Sequence, residues 1–326
     1  MVGLPVVHVA AGVLQNTKGE VLLAQRALGS HQGGLWEFPG GKIESGEQAE
    51  ETLQRELEEE LGVQLKQYRP LIRVSHRYED RKVILYTWLV SQWQGEPYGR
   101  EGQSLSWVLP AELPDWPMPE ADKPILLALD LPDRYLITPP SVNDPDLFLR
   151  QLRKALTSGV SLLQFRVFGL EEPQLVNLAL ESRLLCEEQG VRMLLNGPVG
   201  LARKIGAHGV HLDRRRLAAF DTLGDLTGLL LAASCHNAQE LRQAQGCGID
   251  FAVLSPVLPT QSHPDAKILG WKVFSDLCAH VSMPVYALGG MSADLIHKSW
   301  LHGAQGVAGI RGLWPNDCEA GYHPGG

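Results

Sequence analysis

The stretch GKIESGEQAEETLQRELEEELGV, residues 41–63, decides how the first part of the chain is read. Ala49, Leu53, Leu57 and Leu61 recur every fourth residue, and at about 100° per residue they make one apolar stripe of a helix that faces a core. The helix should begin near Glu47 and stop at Gly62, the residue type that most easily takes the left-handed position after a last turn. Glu56, Glu59 and Glu60 share the arc beside that stripe, while Glu58 falls on the other flank. Like charges at these spacings repel by roughly 0.2–0.5 kcal/mol per pair, so clustering them next to a core calls for a compensating cation. Ligands that are all oxygen select Mg2+, with Mn2+ the alternative, over zinc. A merely solvated acidic face would not require Gly41, Glu47, Arg55, Glu56, Glu59, Glu60 and Gly62 at fixed intervals.

Working outward, the residues before this helix read as a strand (Val6 to Leu14), a turn (Asn16 to Gly19), a strand (Glu20 to Gln25) and a glycine-rich loop (Gly29 to Gly34). Strands over Leu71 to Tyr78 and Lys82 to Gln92 follow it, with Glu79-Asp80 at the hairpin. The proline-rich segment Leu109 to Pro124 should be loop and then a short helix. At 326 residues the chain exceeds what one core usually serves, and Leu131-Pro132-Asp133 is the expected junction. Beyond it short apolar strands alternate with amphipathic helices: Tyr135 to Thr138, Leu162 to Phe165, Arg192 to Asn196, Gly209 to Leu212, Leu229 to Ser234, Phe251 to Leu254, Val285 to Leu288 and Gly306 to Ile310. Eight strand–helix units of this size imply a parallel (β/α)8 barrel. The expected division is 1–131, 132–315 and a flexible tail over 316–326.

Composition narrows the function. Hydrophobic residues make up 44% and charged residues 20%, the range of ordinary globular domains, and no apolar run approaches the roughly 20 residues that cross a bilayer. MVGLPVVHVAAGVL lacks the basic start and cleavage pattern of a signal peptide. Cys186, Cys235, Cys247, Cys278 and Cys318 include no CxxC pair, which suits reduced cytoplasmic thiols rather than zinc or disulfides. A net charge of −8 argues against duplex nucleic acid as a partner, and the lack of a spanning apolar run against a membrane, but a small anionic substrate stays open. The oligomeric state is not fixed by the sequence.

Residues 41–63 match every fixed position of Gly-x5-Glu-x7-Arg-Glu-U-x-Glu-Glu-x-Gly-U, with U aliphatic, and so resemble the Nudix box. The likeness covers about residues 4–130. It is strongest to the MutT type of 8-oxo-dGTP diphosphatase, through Gln25-Arg26, the run Leu35 to Lys42 and the run Gly95 to Gln103. It implies an α/β/α sandwich and a hydrolase that turns a nucleoside triphosphate, such as 8-oxo-dGTP, into the monophosphate and pyrophosphate, a task of nucleotide-pool sanitation and DNA repair. On that likeness Glu56, Glu59, Glu60, Glu101 and the Gly40 carbonyl hold the metal. Arg55 orients carboxylates, and Glu47 is either catalytic or a helix-start residue favoured by the macrodipole. Arg26, Phe38, Gly40, Gly41, Lys42, Tyr78 and the loop Pro119 to Pro124 line the substrate. The base-reading asparagine of the family falls at Asp122, which offers a donor only when protonated.

Gln164-Phe165-Arg166, Leu195-Asn196, Gly209 to Leu212, Ala233 to His236 and Ser255 to Thr260 are followed by glycines at the last two strand ends. Over about residues 134–314 these look like the thiamine phosphate synthase and TenI superfamily. The likeness implies a TIM barrel with a phosphate site from Thr260, Gly289, Gly290, Ala308 and Gly309, and a ligand site from Gln164, Arg166, Asn196, Ser234 and His236. Phe168 stands at the family's lysine, Gly197 and Arg216 at its two acidic metal positions, and His263 at its loop lysine. Loss of two carboxylates removes the metal that a pyrophosphate leaving group needs. His236 aligns with a tautomerase histidine, with His211 and His263 weaker candidates. Three readings follow: a sanitising hydrolase, a hydrolase of thiamine-pathway pyrophosphates, and a barrel that senses thiazole phosphate or thiamine phosphate.

Overall fold

The computed structural model describes residues 4–29, 32–222, 224–261 and 265–315. Its contacts cluster into two compact units. The first is built on residues up to Leu131, with which Ser275–Pro284 and Trp300–Gln305 group; the second takes Pro132–Phe274, Val285–Ser299 and the residues from Gly306.

In the first unit the elements run β1 (Val6–Leu14), β2 (Val21–Gln25), β3 (Trp36–Glu37), β4 (Gly40–Lys42), α1 (Ala49–Leu61), β5 (Gln64–Arg77), β6 (Lys82–Gln94), β7 (Leu105–Val108) and α2 (Lys123–Asp130). One sheet has the order β4-β1-β6-β5, with β1 parallel to β6; the other is antiparallel, β3-β2-β7. The period of two along β1 sends its residues into two cores. Ala10 and Leu14 join Leu53, Leu57 and Leu61 of α1. Ala11 and Val13 join Ile125 and Ala128 of α2. This is the expected sandwich, a sheet layer between two helices.

The helix of residues 41–63 forms as its stripe requires, with Gly62 closing it at φ +71°. Three strands were not anticipated: β3, β4 and β7 span two to four residues, too short to show alternation. β5 begins at Gln64 rather than Leu71, because shifts in register between Leu65 and Ile72 absorb its irregular sequence. Pro70 is tolerated there since β5 is an edge strand.

The second unit alternates β8 (Arg134–Ile137), α3 (Pro145–Thr157), β9 (Leu162–Phe165), α4 (Glu172–Glu188), β10 (Arg192–Leu195), α5 (Val199–Lys204), β11 (Gly209–Leu212), α6 (Arg214–Ala218), β12 (Leu230–Cys235), α7 (Ala238–Gly246), β13 (Phe251–Leu254), α8 (Gly270–Cys278), β14 (Val285–Leu288), α9 (Ile296–Leu301) and β15 (Gly306–Gly309). All eight strands pair in parallel and close into a barrel. Tyr135, Phe251 and Tyr286 fill the interior, their ring centroids 5.3 to 5.7 Å apart. After β15 the described residues make turns as far as Pro315, so no eighth helix appears among them. The tail from Asn316, with Cys318, and the loop residue His263 lie outside the described residues. Cys186, Cys235, Cys247 and Cys278 are free, and no helix is long and apolar enough to cross a membrane among the described residues.

Leu57 is fully buried between α1 and β1. Leu57→Ala should lower unfolding stability by about 2–5 kcal/mol, read as a drop in the urea midpoint.

Candidate functional site

The carboxylate end of the first unit is organised by Arg55. Its Nε and Nη2 donate to Glu47 at 2.9 and 3.0 Å, and its Nη1 donates to Glu56 at 2.8 Å and to Glu59 at 3.1 Å. Glu47 precedes the helix and also accepts from Thr52 Oγ1 at 2.6 Å. The Arg55 hydrogen bonds, aided by Thr52, draw its carboxyl down to about 2. Glu47 is thus an anchor for the arginine. Glu60 turns the other way, accepting from the Gly40 N–H at 3.1 Å. Burial, opposed by that hydrogen bond and reinforced by the charges of Glu56, Glu101 and Glu37, pushes its carboxyl up to about 8. Gly40 lies at φ +150°, where a Cβ would stand 2.1 Å from the Ala10 carbonyl oxygen, so β4 can approach β1 only with glycine here.

A divalent ion fits the chemistry of this end. A Cβ on Gly41 would sit 2.2 Å from the Glu56 carboxyl carbon, so the missing side chain is what gives that carboxylate its place. The donors are all oxygen, and their mutual repulsion at Glu60 is relieved by a hard cation. As the side chains stand, no three acidic, histidine or cysteine residues among the described residues surround a point that would hold an ion. Arg55 pairs with Glu59, whose side chain is 59% exposed, at 3.1 Å. Glu101 is exposed on the turn that follows Arg100, near enough to raise Glu60. Lys42 is exposed and meets Arg55 through its carbonyl oxygen.

The far end is built around Asp122. It is 5% exposed, and burial, reinforced by the charge of Glu37 and opposed by Arg26, lifts its carboxyl to about 8. It is therefore protonated at neutral pH and carries an O–H donor. Trp36 packs edge-on to Trp116 with centroids 4.8 Å apart, and its backbone N–H donates to the Pro117 carbonyl at 2.8 Å, tethering the proline-rich segment. Tyr78 is held by the Ala121 backbone and the Gln32 side chain. Phe38, 3% exposed, packs in the core cluster that holds Ala11, Leu71 and Ile125, with Trp36 and Trp116 against it. Glu37 itself escaped the sequence reading. It forms an ion pair with Arg26, across the β2–β3 register, and its charge reaches both Glu60 and Asp122.

In the barrel, the polar residues gather at the C-terminal ends of the strands. Gln164 Oε1 accepts from Asn196 Nδ2 at 3.0 Å. His211 lies between the Tyr135 hydroxyl, 3.1 Å from Nδ1, and Ser234 Oγ, 2.8 Å from Nε2. Burial pushes His211 down to about 3, so it stays neutral and a poor base. His236 Nδ1 lies 2.9 Å from the Ser255 carbonyl oxygen, an acceptor, so Nδ1 carries a hydrogen and donates it there. Gly289, at φ +97°, would press a Cβ to 2.8 Å from Pro256 Cα, and Gly290 to 2.7 Å from the Pro259 carbonyl oxygen. These glycines are thus demanded by chain crossing as well as by any ligand. Ala308 and Gly309 are buried at the end of β15, and Thr260 is half-buried. Asp213, missed in the sequence, caps α6 and pairs with Arg216.

Residues 10–128 match the model of the NUDIX domain, and residues 134–313 match that of thiamine monophosphate synthase. The chain belongs to the thiamine monophosphate synthase family through its second half and to the Nudix hydrolases through its first. It is 36% identical over 122 residues, 37% of this chain and 95% of the relative, to the 8-oxo-dGTP diphosphatase of Escherichia coli. Against the 8-oxo-dGTP diphosphatase of Proteus vulgaris it is 45% identical over 29% of this chain and 85% of the relative. The putative thiamine-phosphate synthase 2 of Aquifex aeolicus is 33% identical over 56% of this chain and 97% of its own length. Nudix hydrolases generally work with a divalent metal.

Glu60 holds its proton more tightly folded than unfolded, so its share of stability is full below the ordinary value of 4.5 and is lost as pH rises through about 8. With divalent ions chelated, Glu60→Gln should therefore be more stable than the parent by on the order of 1–3 kcal/mol at alkaline pH. Melting curves across the pH range should show the gap opening above 4.5; parallel curves would overturn the assignment.

Proposed function

We propose that the first domain hydrolyses a purine nucleoside triphosphate, 8-oxo-dGTP foremost, to the monophosphate and pyrophosphate with Mg2+. The observation that carries this reading is the pairing of a crowded carboxylate end around Glu60 with a buried, protonated Asp122 at the other, both within reach of the Glu37 charge. Glu56, Glu59, Glu60, Glu101 and the Gly40 carbonyl would hold the ion. Bound there, Mg2+ neutralises phosphate oxygens and lowers the pKa of a water.

The chain's own groups do the rest. Arg55 fixes the direction of Glu56 and Glu59, and the Gly40 N–H fixes Glu60. Water adds at phosphorus, a carboxylate of the cluster takes its proton, and the bridging P–O bond breaks to release pyrophosphate. Arg26, its charge balanced by Glu37, faces the phosphate or sugar. Asp122 donates its O–H to an acceptor on the purine edge, and Tyr78, clamped by Ala121 and Gln32, flanks it. Neutral Asp122 can play the part of an asparagine amide, though with one donor rather than two.

The barrel is read as a phosphate-binding domain without synthase chemistry, since Gly197 and Arg216 stand where carboxylates would be needed. Its presence in the same chain motivates a second reading, in which the hydrolase clears thiamine-type pyrophosphates. The domain boundary is placed at Leu131–Pro132.

Turnover of 8-oxo-dGTP, dGTP and thiamine diphosphate with Mg2+ should rank the oxidised nucleotide first; equal rates on all three would sink the leading reading. Glu59→Gln should cost about 100-fold or more in kcat with an unchanged melting temperature, because it removes an exposed charge and little packing. The preference for 8-oxo-dGTP over dGTP should decay as pH rises through about 8, where Asp122 ionises. Asp122→Asn should make that ratio independent of pH; a decay that persists in the variant would place the titration elsewhere.

A further inference from the structure

The mouth of the barrel carries positive charge that the protein leaves only partly answered. Arg166 directly follows β9, and its backbone N–H donates to the Thr138 hydroxyl at 2.9 Å, so the side chain leaves the strand end from a fixed point. The guanidinium is half-buried, with its carbon 4.8 Å from the centroid of the Phe168 ring. Among the described residues no acceptor meets it at hydrogen-bonding distance. Five N–H donors drawn partly out of water with only an aromatic face as company are an incomplete arrangement. Desolvation acts on the group as expected, lowering its pKa against the opposing charge of Asp213.

A second guanidinium points at the same carboxylate. Arg216 Nη1 lies 2.5 Å from Asp213 Oδ2 and 3.5 Å from Asn196 Oδ1. Its Nε and Nη2 have no acceptor among the described residues. Among the described residues Asp213 is the carboxylate whose charge is felt by both Arg166 and His211, and its other oxygen accepts from the Arg216 backbone N–H at 2.9 Å. His211 is neutral. Two fixed cations therefore face one carboxylate, a surplus of positive charge beside polar strand ends. A divalent cation would meet repulsion from both arginines there and find a single, occupied carboxylate.

We propose that the barrel mouth binds a phosphomonoester or diphosphate directly through Arg166 and Arg216, with no divalent cation between protein and phosphate. This sharpens the reading of the barrel as a phosphate-binding domain and rests on it. The planar forks of the two side chains match phosphate oxygens two at a time, and Phe168 shields one face of Arg166 from water, which strengthens the pairing. Arg216, which forecloses a metal site at this point, supplies the charge that such a metal would otherwise bring.

The test is calorimetric titration of the full chain with thiamine phosphate, in EDTA and again with Mg2+. Binding of one ligand per chain is expected in EDTA, without tightening by Mg2+. Arg166→Gln and Arg216→Gln should each weaken it about tenfold or more, and Arg214→Gln, whose side chain is 77% exposed and pairs with Glu240, should leave it unchanged. Melting temperatures of the variants guard against misfolding. Binding that requires Mg2+, or that ignores both substitutions, overturns the cation-free site while the phosphate-binding reading survives. No binding of thiamine phosphate or of inorganic pyrophosphate in EDTA or Mg2+ overturns both.

Discussion

A single guanidinium shared among Glu47, Glu56 and Glu59 is the constraint on which the first domain's chemistry depends. The apolar stripe of α1 fixes the rotation of the helix, and that rotation brings Glu56, Glu59 and Glu60 to one side of it. Without a cation among them the carboxylates would repel one another and swing outward. Arg55 counters this from the helix itself, tied at its other edge to Glu47, a residue outside the helix whose carboxyl it draws to about 2. The gain in any one exposed pair is small, but a network with two-pronged geometry holds direction as well as charge. Among the described residues Glu60 receives no share of the arginine and accepts from the Gly40 N–H, so the repulsion of Glu56, Glu101 and Glu37 falls on a buried carboxylate.

What could be read in advance followed from periodicity. A stripe repeated every four residues gave α1 to within two residues at either end, and eight apolar runs of regular spacing gave all eight barrel strands. β3, β4 and β7 were invisible because two to four residues show no period, and the early start of β5 was masked by Pro70 and by its register shifts. The same limit applies to the site. Glu37 could not be recognised as the partner of Arg26, since their meeting depends on the pairing of β2 with β3, eleven residues apart. Asp213 carries no periodic signal in the sequence, and both its capping of α6 and its pairing with Arg216 depend on the first turn of that helix having formed.

The two halves gather opposite charge: the Nudix domain clusters carboxylates beside α1, and the barrel mouth clusters the guanidiniums of Arg166 and Arg216. A net charge of −8 across the chain says nothing of this division, since both sites are local arrangements in which two or three side chains set the field. The glycines at the end of β14 are a weaker indicator than the arginines, because close crossing by Pro256 and Pro259 already excludes side chains from Gly289 and Gly290.

Glu37 gives the Nudix site its internal connection. Its charge raises Glu60 at the metal end and Asp122 at the base end, and Arg26 offsets it at Asp122. Burial is the larger cause at both carboxyls, so removing the Glu37 charge would leave each of them raised, though less so. The two ends would then shift in the same direction: Glu60 would ionise at lower pH, favouring a cation, and Asp122 would lose its donor at lower pH, weakening its grip on a purine edge. A group between two buried acids cannot tune one without the other. The ion pair of Arg26 with Glu37 therefore bears on both carboxyls, on Glu60 through the Glu37 charge and on Asp122 through both partners.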